Sequence, residues 1–596
     1  MRLIGCLYRL LMPLSALLFL TGWGFGDLTL MFVGVAALYV ANLAFAIERI
    51  DKRFLFLYFH LALFLFLLSR PTIALLRGRS IQYVSVTYPA AVFTLTALFI
   101  TLLLLLIGMV FVEYLLARLE SRRAGQGGRV GWWSGGLLRL RAGGRTDVRP
   151  YAGTRDASRS SGIVAFLDNP KLPTIRFVSG LLFLLSFAGT MYFGYLQIQA
   201  MGGLDYVYFY LTEQSADAPL VVRTLATIEP YALCAYLATL PRKHPATGAL
   251  ILHVLTTGPS LIIGARGGFV LAILFAILYY AYREFTDGRG VWIGKLEKTL
   301  LVVGIPAGII VMGLQDYLRT HTQTATSSSV IDSLLNALYQ QGTTYGVLGR
   351  GYQAQERIAQ LGDKLYTFGD LLNYLEYGPL GSLFFSGDSL PGYNSVIQAT
   401  QGNTYSHALS YFMHPDYLAG HGYGSSYLLE AYQDFGMVGI VVFSGGLGTL
   451  LGFLPWWFTR SWLPATISLT ISTLVFHVPR GAAMEWINFI WTPQFWVAIV
   501  LICCGAALLR TKAFMGLAGL SGLSGPAGPS GLSGLSGPAG PAGPSGLVHR
   551  NKGETYGTLD GNRDLRRLAR NDQKADRSHP AYRRPLRWLG TRAGSA

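Results

Sequence analysis

Long apolar runs separated by short polar joints set the pattern of this chain. Residues 88–112 (YPAAVFTLTALFITLLLLLIGMVFV) carry no charge at all. About 20 apolar residues cross the hydrocarbon core of a bilayer as a helix. Lipid offers no partner to backbone N–H and C=O groups, so a run of this kind predicts a helix. A buried helix of a soluble protein has an apolar run of only about 10–14 residues. Apolar spans fall near 5–22, 27–47, 54–69, 88–117, 176–198, 222–240, 247–264, 268–282, 298–315, 428–453, 462–478 and 486–509. The expected fold is an all-α polytopic membrane protein with about twelve transmembrane helices. The run at 268–282 is short for a crossing and also fits a re-entrant segment.

One long segment breaks the rhythm, at about 317–427. Twelve of the 33 tyrosines lie between Tyr317 and Tyr423. Ser327–Gln341 (SSSVIDSLLNALYQQ) predicts an amphipathic helix, N-capped by a serine and ended at Gly342. Asp370–Tyr377 predicts a second, stopped by Gly378-Pro379. So long and patterned a segment reads as a functional, partly helical loop rather than a connection. Beyond the last span, Gly516–Gly546 repeats glycine at every third position, as a collagen strand does. Proline is sparse there and charged pairs are missing, so the tract reads as a flexible spacer. The expected organisation is a transmembrane domain over 1–510, a collagen-like spacer over 511–546 and a disordered basic tail over 547–596.

Composition agrees: 52% of residues are hydrophobic and 13% charged, against roughly 25% charged in soluble domains. The net charge of +17 is concentrated. Arg118–Arg159 holds ten arginines against Glu120, Asp147 and Asp156, and Leu547–Ala596 holds twelve Lys/Arg against five Asp/Glu, so each stretch carries +7. Nucleic-acid binding is one reading of basic tails. The positive-inside rule and anionic headgroups explain the same charges, and no nucleic-acid partner is expected. With the N-terminus inside, Arg49–Arg53, the 118–175 loop, Pro241–His244, Arg283–Lys298, Arg460 and the C-terminal tail face the cytoplasm. The 317–427 segment then faces outside. Arg70, Arg77 and Arg79 in the 70–87 loop depart from the rule. Cys6, Cys234, Cys503 and Cys504 all sit in apolar stretches, which does not support a disulfide framework. Met1–Gly24 resembles a signal peptide but reads as a retained first helix.

The chain has no Walker loop, paired CxxC, HExxH or GxSxG motif, and no Asp cluster with metal-ligand spacing. Neither a metal nor another cofactor is expected. Candidate chemistry gathers at the external helix ends. Arg266 lies in Gly264–Gly268 (GARGG) and Arg480 in His477–Glu485 (HVPRGAAME), each in an Arg-Gly hairpin between apolar spans. Positive charge is disfavoured there, so an anionic ligand gives each a reason. Guanidinium grips phosphate through paired hydrogen bonds, and adjacent glycine lets backbone N–H groups approach. Snorkelling to headgroups is the alternative. In His421–Gly439 (HGYGSSYLLEAYQDFGMVG), Ser425 or Ser426 is placed to cap a helix. Glu430 and Asp434, four apart, share its face. They suit either the helix dipole or a base and contacts for sugar hydroxyls. Glu485 is a further candidate acid, and His407, His414 and His421 cluster nearby. Gly445, Gly448 and Gly452 read as helix-packing positions.

These residues resemble the O-antigen and exopolysaccharide polymerases of the Wzy type. The likeness is strongest over Ser406–Gly439: a His-Pro turn, a G-x-G-x-S stretch, then E-x-x-x-x-F-G-x-x-G. The Arg-Gly hairpins and the long loop between late helices are similar too. The resemblance implies a GT-C-like membrane glycosyltransferase acting without metal at the external face of the bacterial plasma membrane. It would join repeat units on undecaprenyl diphosphate, with chain-length regulator and flippase proteins as partners. It implies Arg480, Arg266, Glu430 and Glu485 as catalytic, and His421, Tyr423, Ser425, Asp434 and Arg350 as substrate-binding. Ligases of O-antigen are related, but often carry His-Asn where this chain has Ser425-Ser426. A transporter or flippase for lipid-linked oligosaccharide is the rival class, supported mainly by Glu229-Pro230 within an apolar span. A scaffold with an interaction tail explains the tail but not the hairpins.

The orientation is testable with single cysteines. Placed at Ala124 and Ser386 and labelled from outside intact cells, only the second should react; labelling at position 124 reverses the orientation.

Overall fold

The computed structural model describes residues 2–123, 166–202, 217–263, 265, 267–287, 291–300, 302–304, 330–378, 381 and 389–511. The spacer and tail, most of the 118–175 loop and residues 305–329 lie outside the described residues. No strand occurs among the described residues.

The bundle opens with α1 (Arg2–Phe25), α2 (Leu28–Glu48) and α3 (Ile50–Leu63). The last runs through a π turn at Phe64–Leu68 into α4 (Ser69–Leu76). There follow α5 (Tyr88–Arg123), α6 (Leu172–Met201), α7 (Leu220–Ala238), α8 (Lys243–Thr256) and α9 (Gly267–Asp287). The 317–427 segment supplies α10 (Val330–Gln341), α11 (Thr343–Ala359), α12 (Gly369–Tyr377) and α13 (Tyr405–Met413). The chain closes with α14 (Tyr427–Phe458), α15 (Trp462–Leu474) and α16 (Pro493–Leu508).

Nine of the described helices are long and apolar enough to cross a membrane, where the whole sequence led us to expect about twelve. α15 and α16 are apolar but have 13 and 16 residues. At 1.5 Å per residue they reach about 20 and 24 Å, short of the ~30 Å core. The span read as 298–315 lies mostly outside the described residues. The run at 268–282 is not a short segment: α9 has 21 residues. The basic loop starts later than its charges suggest, because α5 stays helical to Arg123.

Small residues let α5 and α14 touch along their backbones. A Cβ on Gly448 would lie 2.2 Å from Leu105 O, and one on Gly108 the same distance from Gly445 O. A Cβ on Gly452 would meet Val112 Cγ1 at 2.3 Å. Such close approach is how membrane helices associate when lipid removes the hydrophobic drive. Several polar side chains in the bundle are answered by neighbours. Asn42 Nδ2 donates to Leu102 O (2.9 Å), Ser444 Oγ lies 3.3 Å from both Tyr427 OH and Thr101 Oγ1, and Tyr282 OH meets Ser472 Oγ at 2.9 Å.

The two ends of the bundle differ. At one end Arg53 is buried, bonded twice to Glu113 (Nε–Oε1 2.7 Å, Nη2–Oε2 2.9 Å) and once to Phe45 O (2.6 Å). Arg283 donates to Pro241 O, Lys243 pairs with Glu297, and Arg460 follows α14. Tyr282 packs on both Phe54 and Phe458, joining these groups. The opposite end carries α4, the helices of the 317–427 segment and the turn that follows α15.

Gly448→Ala should push α5 from α14 and cost about 1–3 kcal/mol of stability. Gly446, whose added Cβ meets nothing within 4 Å, should accept alanine with no loss. Thermal melting in detergent compares the two, and equal melting would remove the seam as the cause.

Candidate active site

α15 ends at Leu474, and the chain makes tight turns through residues 475–484 before a 3-10 turn at Glu485–Ile490. Pro479 cannot donate to a continuing helix. The turn folds His477 onto Glu485: Nδ1 lies 3.0 Å from Oε2. In such a contact the ring nitrogen donates and the carboxylate oxygen accepts. Gly481 sits against this pair; a Cβ there would fall 2.1 Å from Glu485 Oε2 and 2.9 Å from His477 Nδ1. The glycine beside Arg480 therefore makes room for the histidine–carboxylate contact. His477 and Glu485 are 34% and 31% exposed. Arg480 lies between them in sequence, its guanidinium 5.8 Å from the Phe66 ring centre.

Glu430 holds this turn in place. Its Oε1 accepts from Ser425 Oγ (2.7 Å) and its Oε2 from the Ala483 backbone N–H (2.7 Å), in a buried position. Neither serine side chain caps α14. Ser426 occupies the cap position without a side-chain cap bond, its hydroxyl buried and unpartnered, while Ser425 is drawn to Glu430. The carbonyl of Ser426 accepts from Leu429 N and Glu430 N instead. Gly424 faces Arg480 O, an added Cβ lying 3.8 Å from it.

Asp434 is also engaged, by the backbone N–H groups of Tyr366 (3.1 Å) and Thr367 (2.6 Å). Two residues later α14 is interrupted at Gly436 (φ 59°, ψ −151°), a conformation open essentially to glycine alone. Glu430 and Asp434, four apart in sequence, thus meet different partners. α12, just past Tyr366, brings Asp370 to the 3-10 turn, where Asn488 Nδ2 donates to Asp370 Oδ2 (2.5 Å). Burial raises the Asp370 carboxyl above the ordinary range; the Asn488 bond opposes this and the Glu485 charge adds to it.

Around the turn lie the remaining candidates. Arg350 stacks over Tyr423 at 4.7 Å and donates to Gly346 O (3.2 Å). His414 lies against Tyr423 (5.0 Å) and stacks with His421 (6.1 Å). His407 is turned away, bonded to Tyr417 OH (3.0 Å), and burial lowers its pKa. Arg266 lies outside the described residues. The tyrosines divide: Tyr345, Tyr366, Tyr405 and Tyr417 are buried, while Tyr423 keeps a partly open face. Among the described residues no group of three His, Cys, Asp or Glu side chains is placed to hold a metal ion.

Sequence reasoning missed His477, Asp370, Asn488 and α11. His477 stands in the same hairpin as Arg480, a usable signal. Asp370 and Asn488 meet across 118 residues, and nothing local marks that.

A multi-pass helical membrane protein with a polar site under a folded segment at one end of its bundle is the class this architecture defines. The chain belongs to the O-antigen polysaccharide polymerase Wzy family, which matches residues 157–512. No curated protein and no solved structure matches it. The family consists of polymerases of glycan repeat units, so polysaccharide biosynthesis is the process this chain serves. The match begins after α5.

Glu430 tests bracing against base chemistry. Glutamine can still accept from Ala483 N–H while its amide donates to Ser425 Oγ; alanine strands both buried groups, at about 1–3 kcal/mol each. Glu430→Gln should keep thermal stability in detergent and polymer yield, and Glu430→Ala should lose both. A stable but inactive glutamine variant would make Glu430 the base.

Proposed function

We propose that the chain joins oligosaccharide repeat units carried on undecaprenyl diphosphate, at the external face of the bacterial plasma membrane. The observation that carries this reading is the 475–485 turn, which sets Arg480 beside a His477–Glu485 pair. Transfer needs an acceptor hydroxyl to attack the anomeric carbon of the donor glycan. The bond from that carbon to the diphosphate breaks, and the hydroxyl proton must leave. Nε2 of His477 takes the proton, and Glu485 orients the ring and stabilises the imidazolium that forms. Such a positioned base contributes ~10²–10⁴-fold. The departing lipid diphosphate gathers negative charge, which the Arg480 fork meets.

Glu430 and Asp434 act as positioning residues in this reading. Tyr423, His414, His421 and Arg350 offer a ring face and donors for sugar. The basic end of the bundle faces the cytoplasm, as positive-inside bias requires, which puts the 475–485 turn outside. The ligase alternative differs in acceptor rather than in this chemistry. Glu229 and His253, 3.0 Å apart and shielded between α7 and α8, are the observation that favours a transporter or flippase. They bond to each other, and a buried pair of this kind also serves to fix two helices.

Arg480→Lys separates grip from snorkelling, because lysine keeps the charge but loses the fork. The lysine variant should accumulate single lipid-linked repeat units at normal protein level, with polymer synthesis down ~10²–10³-fold. His477→Gln should accumulate the same units. Near-normal polymer from Arg480→Lys would remove Arg480 from the site, and units trapped on the cytoplasmic face would favour the flippase.

A further inference from the structure

Arg70, Arg77 and Arg79 stand at the same end of the bundle as the active-site turn, where positive-inside bias disfavours them, and the turn uses none of them. The chain reaches them through the π turn at Phe64–Leu68, a feature frequent at functional sites. Phe66 in that turn lies under Arg480, and Arg70 follows about one helical turn later. The aromatic partner of Arg70 comes from far along the sequence. Ser69 Oγ lies 3.0 Å from Leu338 O, which seats α10 on α4 and brings Tyr339 between two guanidinium groups. Arg70 lies 4.7 Å and Arg77 6.0 Å from its ring centre. Arg77 Nη2 donates to Asn336 Oδ1 (2.7 Å). The buried Nε of Arg70 has no hydrogen-bond partner among the described residues. Among the described residues no ion pair joins either arginine to a carboxylate. Two like charges thus converge on one ring. A guanidinium stacked on a ring keeps its in-plane donors for an anion.

We infer that Arg70 and Arg77, with Tyr339 between them, form a second anion site that holds the diphosphate of the acceptor lipid. This rests on the polymerase reading: joining two lipid-linked units brings two diphosphates to one protein, and only one of them leaves. The acceptor's diphosphate lies at the far end of its repeat unit from the reacting hydroxyl. It stays bonded throughout, so it needs a grip separate from that of Arg480. Both arginines precede the residues that match the family. A phospholipid headgroup offers similar phosphate chemistry, and the experiment separates the two.

Full-length protein is placed in phosphatidylcholine nanodiscs and titrated with undecaprenyl diphosphate, and bound lipid is counted by native mass spectrometry. Wild type should bind two, and the Arg70→Gln/Arg77→Gln variant one. Arg70→Lys, which keeps charge and helix, should bind the second about tenfold more weakly and guards against a misfolded double variant. In a polymerisation assay the double variant should need about tenfold more acceptor with kcat little changed, whereas Arg480→Lys loses kcat. One lipid on wild type, or two on the double variant, overturns the inference. Full displacement of the second lipid by phosphatidylglycerol marks a general headgroup site and also overturns it. If wild type makes no polymer yet the double variant still loses one lipid, the anion site stands and the polymerase reading fails.

Discussion

The carboxylate of Glu430 is the point on which the site depends, because it joins stretches of chain far apart in sequence. A buried carboxylate is costly unless its oxygens are bonded, and here the Ser425 hydroxyl and the Ala483 N–H take one each. The first fixes the approach to α14; the second fixes the turn that carries Arg480. Asp434, one turn further on, holds the backbone at Tyr366 and Thr367. From there α12 carries Asp370 to Asn488, five residues past Ala483. The contacts close into a circuit, from α14 through α12 to the 3-10 turn and back to α14. Removing one link loosens the others, since each acceptor positions a donor used elsewhere in the ring.

The circuit needs α14 itself to be fixed, and that is settled inside the bundle. Glycines on both helices bring α5 and α14 to backbone contact, and the break at Gly436 separates the polar first turns of α14 from its apolar length. Phe93 on α5 packs against Tyr352 of α11 and Tyr432 of α14. The folded segment therefore rests on the same pair of helices that orders the site. Arginines at the two ends of the bundle behave differently. Arg53 and Arg283 are buried and bonded to acceptors on neighbouring segments, so they lock helix ends. Arg70 and Arg350 lie instead over tyrosine rings.

Membrane class was legible in the sequence because hydrocarbon imposes a length and an apolarity on each crossing, and both can be counted along the chain. The helices at Val330–Gln341 and Gly369–Tyr377 were legible from periodicity and stop signals, and Gly448 and Gly452 from the spacing of small residues. The sequence also marked Arg480, since an arginine beside a glycine at a helix end that positive-inside bias assigns to the outside is out of place electrostatically. Tertiary structure decided the rest. Periodicity puts Glu430 and Asp434 on one helix face but cannot name the donors that reach them, which come from Ala483 and Tyr366–Thr367. Tyrosine density does not tell buried Tyr345 and Tyr405 from Tyr423, because burial depends on which helices pack above. Only the fold shows that Ser425 serves a carboxylate rather than a cap, that His477 is paired with Glu485, and that Tyr339 meets Arg70. Local sequence sets what a residue can do within about one turn; contacts across tens or hundreds of residues depend on how the helices pack.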